Sequence, residues 1–296
     1  MLSYQIVLGD VCSDRYNHFN LVRFIAAFAV LISHAWPISR GLGTVEPLTS
    51  VVGLSLGEVA VLIFFSLSGF LITKSFEQRY STKTFLIARF ARLFPGLAAS
   101  LVFVGLVIGP LTSELGIWNY LKDPQTTKFF LRNLTLIQPQ FTLPGVFGNL
   151  PYPAIEGSIW TLAHEVACYG LVLLLGVAGM FKKRLFLSAM LVIYVLSWAF
   201  LPEIEMHIHS KIFQTYVLAL PFLVGMAFWI WRKRISLSLP ILVLLWSVFA
   251  LCKATSWAYP TLVFALTYSM FWLAYLPGKF CLNYNRSGDY SYGMYI

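Results

Sequence analysis

A chain of 296 residues in which 58% are hydrophobic and only 11% charged carries more apolar side chain than a soluble interior of that size can hide. A mean hydropathy of +0.75 excludes a soluble enzyme, a disordered chain and a small disulfide scaffold; the class left is a multi-spanning membrane protein whose solvent is lipid. The net charge of +9 would suit nucleic acid, but the positions of the basic residues argue against that partner.

Spanning a bilayer takes about 20 mostly apolar residues in a helix. In chain order the hydropathy predicts spans over 20–37, 55–75, 93–113, 158–180, 185–201, 211–231, 237–252 and 258–277. A ninth begins near Asp289, and the sequence ends inside it at Ile296. The fold class expected is therefore all-α: a polytopic helical bundle of about eight full spans plus a truncated ninth, one domain over 1–296. The first segment reads as an uncleaved signal anchor, because no apolar core precedes Leu21. Pro37, Pro110, Pro202, Pro240 and Pro277 are expected at span ends and Pro95 and Pro260 in first turns, where a missing N–H does least harm. Pro221 falls inside a span and predicts a kink. Two long connections remain, 38–54 and 114–157; the prolines and aromatics of the second predict a folded cap.

Lys and Arg set the orientation. With the N-terminus in the cytoplasm, that side collects Arg15 and Arg23, the stretch from Lys74 to Arg92, the triplets Lys182–Arg184 and Arg232–Arg234, and Lys279 and Arg286. The opposite side carries Glu46, Glu114, Asp123, Glu156, Glu203 and Glu205. The positive charge is thus a topology signal for an inner (plasma) membrane protein, and the triplets are expected to anchor helix ends.

Ionisable groups at membrane depth need a reason. Arg23 and His34 are eleven residues apart, which at about 100° and about 1.5 Å per residue puts them on nearly one helix face, roughly 16–17 Å apart along the axis. Arg89 and Arg92 share a helix side by their spacing of three and suit a phosphate. Glu165, inside the fourth predicted span, is expected to face a polar cavity; its neighbour His164 lacks a second ligand at zinc-protease spacing. Ser68 and Gly69 predict a close helix approach, and Glu58 reads as interfacial. His207 and His209 alternate in a short acidic outer loop, and the cysteines Cys12, Cys168, Cys252 and Cys281 have no metal or redox spacing, so no metal is expected.

Four blocks together resemble the membrane-bound acyltransferase 3 family, which includes bacterial O-antigen O-acetylases. They are Arg23 with His34, the run Phe64–Ile72, the Arg-x-x-Arg-x-x-Pro run 89–95, and Gly157–Glu165; Gly288-Asp289-Tyr290-Ser291-Tyr292 begins a fifth. The resemblance implies acyl transfer from cytoplasmic acyl-CoA, acetyl-CoA above all, to a hydroxyl of a glycan or glycolipid on the far side of the bilayer. It implies that His34 is the catalytic base, that Glu165 assists it, and that Arg23, Arg89 and Arg92 serve the donor. It departs in reading Ala163-His164-Glu165 where relatives have Pro-Val-Glu, and it implies a C-terminal end beyond Ile296. The same buried ionisable groups fit a second class, a transporter or flippase of a glycan precursor or small acid, and a third, an inactive truncated relative.

Overall fold

The computed structural model describes residues 6–12, 17–41, 43–79 and 81–275. Its main helices are α1 (Phe19–Arg40), α2 (Leu56–Arg79), α3 (Thr82–Phe103), α4 (Pro124–Thr135), α5 (Trp160–Val177), α6 (Arg184–Leu196), α7 (Ser210–Ile230), α8 (Leu239–Cys252) and α9 (Ala258–Ala274). Among the described residues six helical stretches are long and apolar enough to cross a membrane, and α8 and α9 are shorter apolar helices. The protein is an all-α polytopic membrane bundle, as the hydropathy requires. The ninth predicted span, with Lys279, Cys281, Arg286 and the Gly288–Tyr292 run, lies outside the described residues, as does Arg15.

Three boundaries differ clearly from the expected ones; the fifth stretch runs on past Pro202 to His207, and the other two bear on the site. The third span starts at Thr82, not 93, because Ser81 caps it by accepting from the Thr84 N–H at 3.4 Å. Pro95 is therefore inside α3, not in its first turn, and the basic run 89–95 is part of the helix. Pro37 likewise lies inside α1, which continues to Arg40 and stops where Gly41 takes φ +87°.

α2 is the axis of the bundle. It crosses α7 so closely that a Cβ on Gly69 would strike the Phe222 carbonyl, and a Cβ on Gly225 would strike the carbonyl of Ser66. Small residues at a crossing let backbones approach where lipid gives no hydrophobic drive, so the close approach expected at Gly69 is met. Ser66 Oγ pairs with Thr267 Oγ1 of α9 at 2.8 Å, in a contact buried from lipid. Phe70, Phe271, Phe228 and Trp229 pack the ring-rich core beneath. At the basic end a two-residue strand, β1 (Ile6–Val7), pairs antiparallel with β2 (Ser236–Leu237) and ties the N-terminal segment to the bundle.

The connection 114–157 is folded, as its composition predicts. A short helix Ile117–Lys122, α4 and a set of turns enclose a separate core of Tyr120, Phe129, Leu143 and Val146 against Leu97 and Leu101 of α3. α3 passes into a π-helical stretch, Val104–Ile108, whose Gly105 carbonyl accepts the Tyr120 hydroxyl at 2.7 Å. Rings of Phe130 and Tyr120 occupy the places where Cβ atoms of Gly105 and Gly109 would stand, so the cap is seated on this bulge.

Candidate functional site

A cavity of about 660 Å³ lies among α1, α2, α3 and α5, roofed by residues of the connection 38–54 and by Tyr152, Glu156 and Ser158. Each helix presents one face to it. On α1 that face is Arg23, Val30, Ser33, His34 and Pro37, a seven–three–one–three spacing that follows one side of a helix. Ile25, Phe28, Leu31 and Ile32 cover the opposite side and are exposed, as a lipid-facing surface is. The expected sharing of a face by Arg23 and His34 is thus realised, and both line the same space.

Adjacent residues of α5 separate in the same way, because neighbours on a helix are about 100° apart. Glu165 lines the cavity, accepting from Ser68 Oγ of α2 at 3.2 Å and from the hydroxyl of Tyr169. Ser68 therefore supplies a polar partner to Glu165, while Gly69 provides the close packing. His164 points the other way: it is buried, with Nδ1 2.7 Å from Thr215 Oγ1 and the edge of Trp160 against its ring. Glu77, by contrast, belongs to the basic end, where it accepts from Trp229 Nε1 at 2.7 Å.

The two arginines of α3 do not converge on one spot. Arg92 lines the cavity; Arg89 lies behind it, with its guanidinium carbon 5.8 Å from the ring centroids of both Phe85 and Tyr169. A spacing of three leaves two positions about 60° apart, enough to turn one toward the cavity and one toward α5. Arg89 reaches the site through Tyr169, whose hydroxyl donates to Glu165.

Three carboxylates absent from the sequence-based site complete the lining. Glu46 is buried, although it comes from a connection. It accepts from Ser33 Oγ of α1 and from the Leu56 N–H, 2.9 Å away at the start of α2, so it latches the connection across both helices within electrostatic reach of His34. Glu156, at the mouth of α5, accepts from Ser100 Oγ at 3.3 Å and Ser158 Oγ at 3.4 Å. Burial pushes its carboxyl above the ordinary carboxylate range, and the two hydroxyls only partly offset this. Glu58, read from sequence as interfacial, also lines the cavity; its carboxylate accepts from the Ser55 N–H at 2.7 Å, at the N-terminus of α2. A loop carboxylate carries no periodicity; the only signal for these residues was their place in connections flanking charged spans.

Among the described residues no group of three His, Cys, Asp or Glu side chains is placed to hold a metal ion. His207 Nδ1 meets the Glu203 carbonyl at 2.7 Å, and His209 caps α7 by accepting from the Lys211 N–H at 3.3 Å.

An embedded cavity that offers guanidinium groups, an imidazole and carboxylates defines a polytopic membrane protein with a polar site inside its bundle. The chain belongs to the acyltransferase 3 family: the family model, described as "Acyltransferase domain", matches residues 16–296. It is 31% identical over 182 residues to an "O-acetyl transferase" of Shigella phage Sf6, a match covering 61% of this chain and 52% of that protein. It is 34% identical over 164 residues to "Nodulation protein 10" of Rhizobium leguminosarum bv. viciae, covering 53% and 43% respectively. A third relative, "Acyltransferase MdmB" of Streptomyces mycarofaciens, is 28% identical over 119 residues, covering 39% and 27%. The chain thus spans about half the length of the first two relatives it matches. No solved structure matches it.

Proposed function

We propose that the protein is an O-acyltransferase of the inner membrane that moves an acyl group, acetyl in the first instance, from cytoplasmic acyl-CoA to a hydroxyl of an extracytoplasmic glycan or glycolipid. The observation that carries this reading is that Arg23, Arg92, His34 and Glu165 line one cavity although they come from three helices. Guanidinium groups toward the basic end suit the donor's phosphates. The axial distance of about 16–17 Å from Arg23 to His34 suits an extended arm carrying a thioester between them. His34 takes the proton of the acceptor hydroxyl as its oxygen attacks the thioester carbonyl. The carbon–sulfur bond then breaks, and the proton passes from His34 to the leaving sulfur. Glu165, braced by Ser68 and Tyr169, orients the imidazole or an acceptor hydroxyl. The outer carboxylates Glu46, Glu58 and Glu156 suit a hydroxyl-rich acceptor, since each can accept hydrogen bonds.

The test is His34→Ala in the full chain reconstituted with labelled acetyl-CoA and a glycan acceptor. Removal of a general base lowers transfer by about 10²–10⁴-fold. Because His34 faces a cavity and not the core, the melting temperature should stay within a few degrees of the parent's. Near-full transfer by a well-inserted variant refutes the assignment.

A further inference from the structure

A second cleft, bordered by the C-terminal half of α5, has a different character. It measures about 440 Å³, lies among α5, α6 and α7, and opens toward the exposed apolar surface of α6. Its walls run from Leu187 to Ser197 on one side and from Ala219 to Trp231 on the other. At about 1.5 Å rise per residue these walls are about 15–18 Å long, the depth of one leaflet of a hydrocarbon core about 30 Å thick. The lining is aliphatic except for Tyr194, Ser197 and Trp231. Tyr194 donates its hydroxyl to the Tyr216 carbonyl and Ser197 bonds the Tyr194 carbonyl at 2.7 Å, so neither is left to hold water. A groove at membrane depth without polar partners is filled by hydrocarbon.

Its two ends differ. Lys182-Lys183-Arg184 leads into α6, and Arg232-Lys233-Arg234 follows α7. Both triplets adjoin residues of the groove: the Leu187 N–H bonds the Lys183 carbonyl at 3.1 Å, and Trp231 immediately precedes Arg232. Arg232 is engaged elsewhere, stacked 3.8 Å from the Trp229 ring centroid and 3.8 Å from Glu77. Lys182, Lys183, Arg184 and Arg234 are exposed. Phe181, buried against Phe76 of α2, fixes the turn that carries the first triplet. Anchoring of helix ends explains a basic triplet at each end. It does not by itself account for a leaflet-deep apolar groove whose two walls, α6 and α7, each run into a basic triplet at the end away from the Tyr194–Tyr216 contact.

The geometry points to a binding site for an anionic phospholipid, with one acyl chain along the groove between α6 and α7 and its phosphate held between Lys182–Arg184 and Arg234. Hydrocarbon accounts for the groove, and charge complementarity selects an anionic headgroup at its mouth. The site shares no residue with the acyl-transfer cavity, so it stands or falls apart from that reading.

The purified full chain in detergent, given equal amounts of phosphatidylglycerol and phosphatidylcholine with identical acyl chains, tests this by native mass spectrometry. Retention of one phosphatidylglycerol is expected at about tenfold over phosphatidylcholine, with the preference falling to parity in the combined variant Lys182→Gln, Lys183→Gln, Arg184→Gln, Arg234→Gln. The charge-keeping set Lys182→Arg, Lys183→Arg, Arg184→Lys, Arg234→Lys should keep the preference. Ala219→Phe, which fills the groove, should lose both lipids. Excess glycerol phosphate should displace nothing. Equal retention of the two lipids by the parent overturns the proposal, as does a preference that survives removal of the four charges. Displacement by glycerol phosphate would mark a free-phosphate site instead, and loss of preference in the charge-keeping set would show that the fold, not the charge, had been read; either result overturns it too.

Discussion

α2 is bounded by α7 on one side and by the polar cavity on the other, and the two sides follow opposite rules. Toward α7, Gly69 and Gly225 bring backbone against backbone with no side chain between. Toward the cavity, Val61, Phe64, Phe65 and Ser68 wall an open space that also holds Arg92, His34 and Glu165. Helices in lipid gain nothing from hiding apolar surface, so they hold together by close contact. The tight side supplies that contact and lets the other side stay open without collapsing. An embedded polar site needs such an unyielding seam beside it.

The comparison breaks most severely at the seam. Gly69→Ala places a methyl on the Phe222 carbonyl, where backbone cannot give way, and should destabilise the bundle by about 3 kcal/mol or more. Size-exclusion profile and melting temperature report it, with activity lost only as the fold is lost.

On the cavity side the expected losses are in rate. Glu165→Gln keeps shape and should lower transfer by about 10²-fold, while His164→Ala, one residue away but facing Thr215, should cost about 1–3 kcal/mol of stability with catalysis retained. Measuring both properties in both variants sharpens the contrast between the two faces of α5; matching effects would erase it.

Arg92→Ala should raise the acyl-CoA concentration needed for half-maximal rate by about tenfold or more, from the loss of one charged hydrogen bond, with a smaller effect at saturation. Arg92→Lys should recover only part of it, since the planar fork is gone. Arg89→Ala should act more weakly, because Arg89 sits behind Tyr169 and not in the cavity. Donor titrations of the two variants decide whether the arginines differ.

The smallest expected effect is on pH. The buried Glu156 carboxyl is raised above its unfolded value, so the native state binds more protons than the unfolded one between the two values. Its contribution to stability is present at low pH and is lost as pH rises from the ordinary carboxylate range through the raised native value. Glu156→Gln should flatten that part of a melting-temperature profile; an unchanged slope assigns the dependence to another group.

Much of this architecture is legible in the sequence. Hydropathy locates the spans, helical arithmetic puts Arg23 and His34 on one face, and Gly69 announces a close crossing. The basic run 89–95 reads less well: its charges make the helix seem to begin later than it does, because hydropathy cannot see the Ser81 cap. Arg89 and Arg92 share a side by counting, yet the 60° between them is resolved only by what packs against each. Glu46 and Glu156 show in the sequence only as acidic residues of the two connections, since their roles come from where a connection folds back over the bundle.

The latch at Glu46 also bears on how the protein is made. A chain emerges from its N-terminus at about 5–20 residues per second, so roughly a hundred residues separating Glu58 from Glu165 take about 5–20 s to appear. During that interval α1, α2 and the connection between them carry Arg23, His34 and Glu46 before α5 exists to close the cavity. The Ser33–Glu46 and Leu56–Glu46 hydrogen bonds lie wholly within this first hairpin. The newborn pair of helices therefore holds its own internal partner for a carboxylate that would otherwise wait exposed at the membrane, and the wall of the cavity at Glu46 can be set before the rest of the bundle is synthesised.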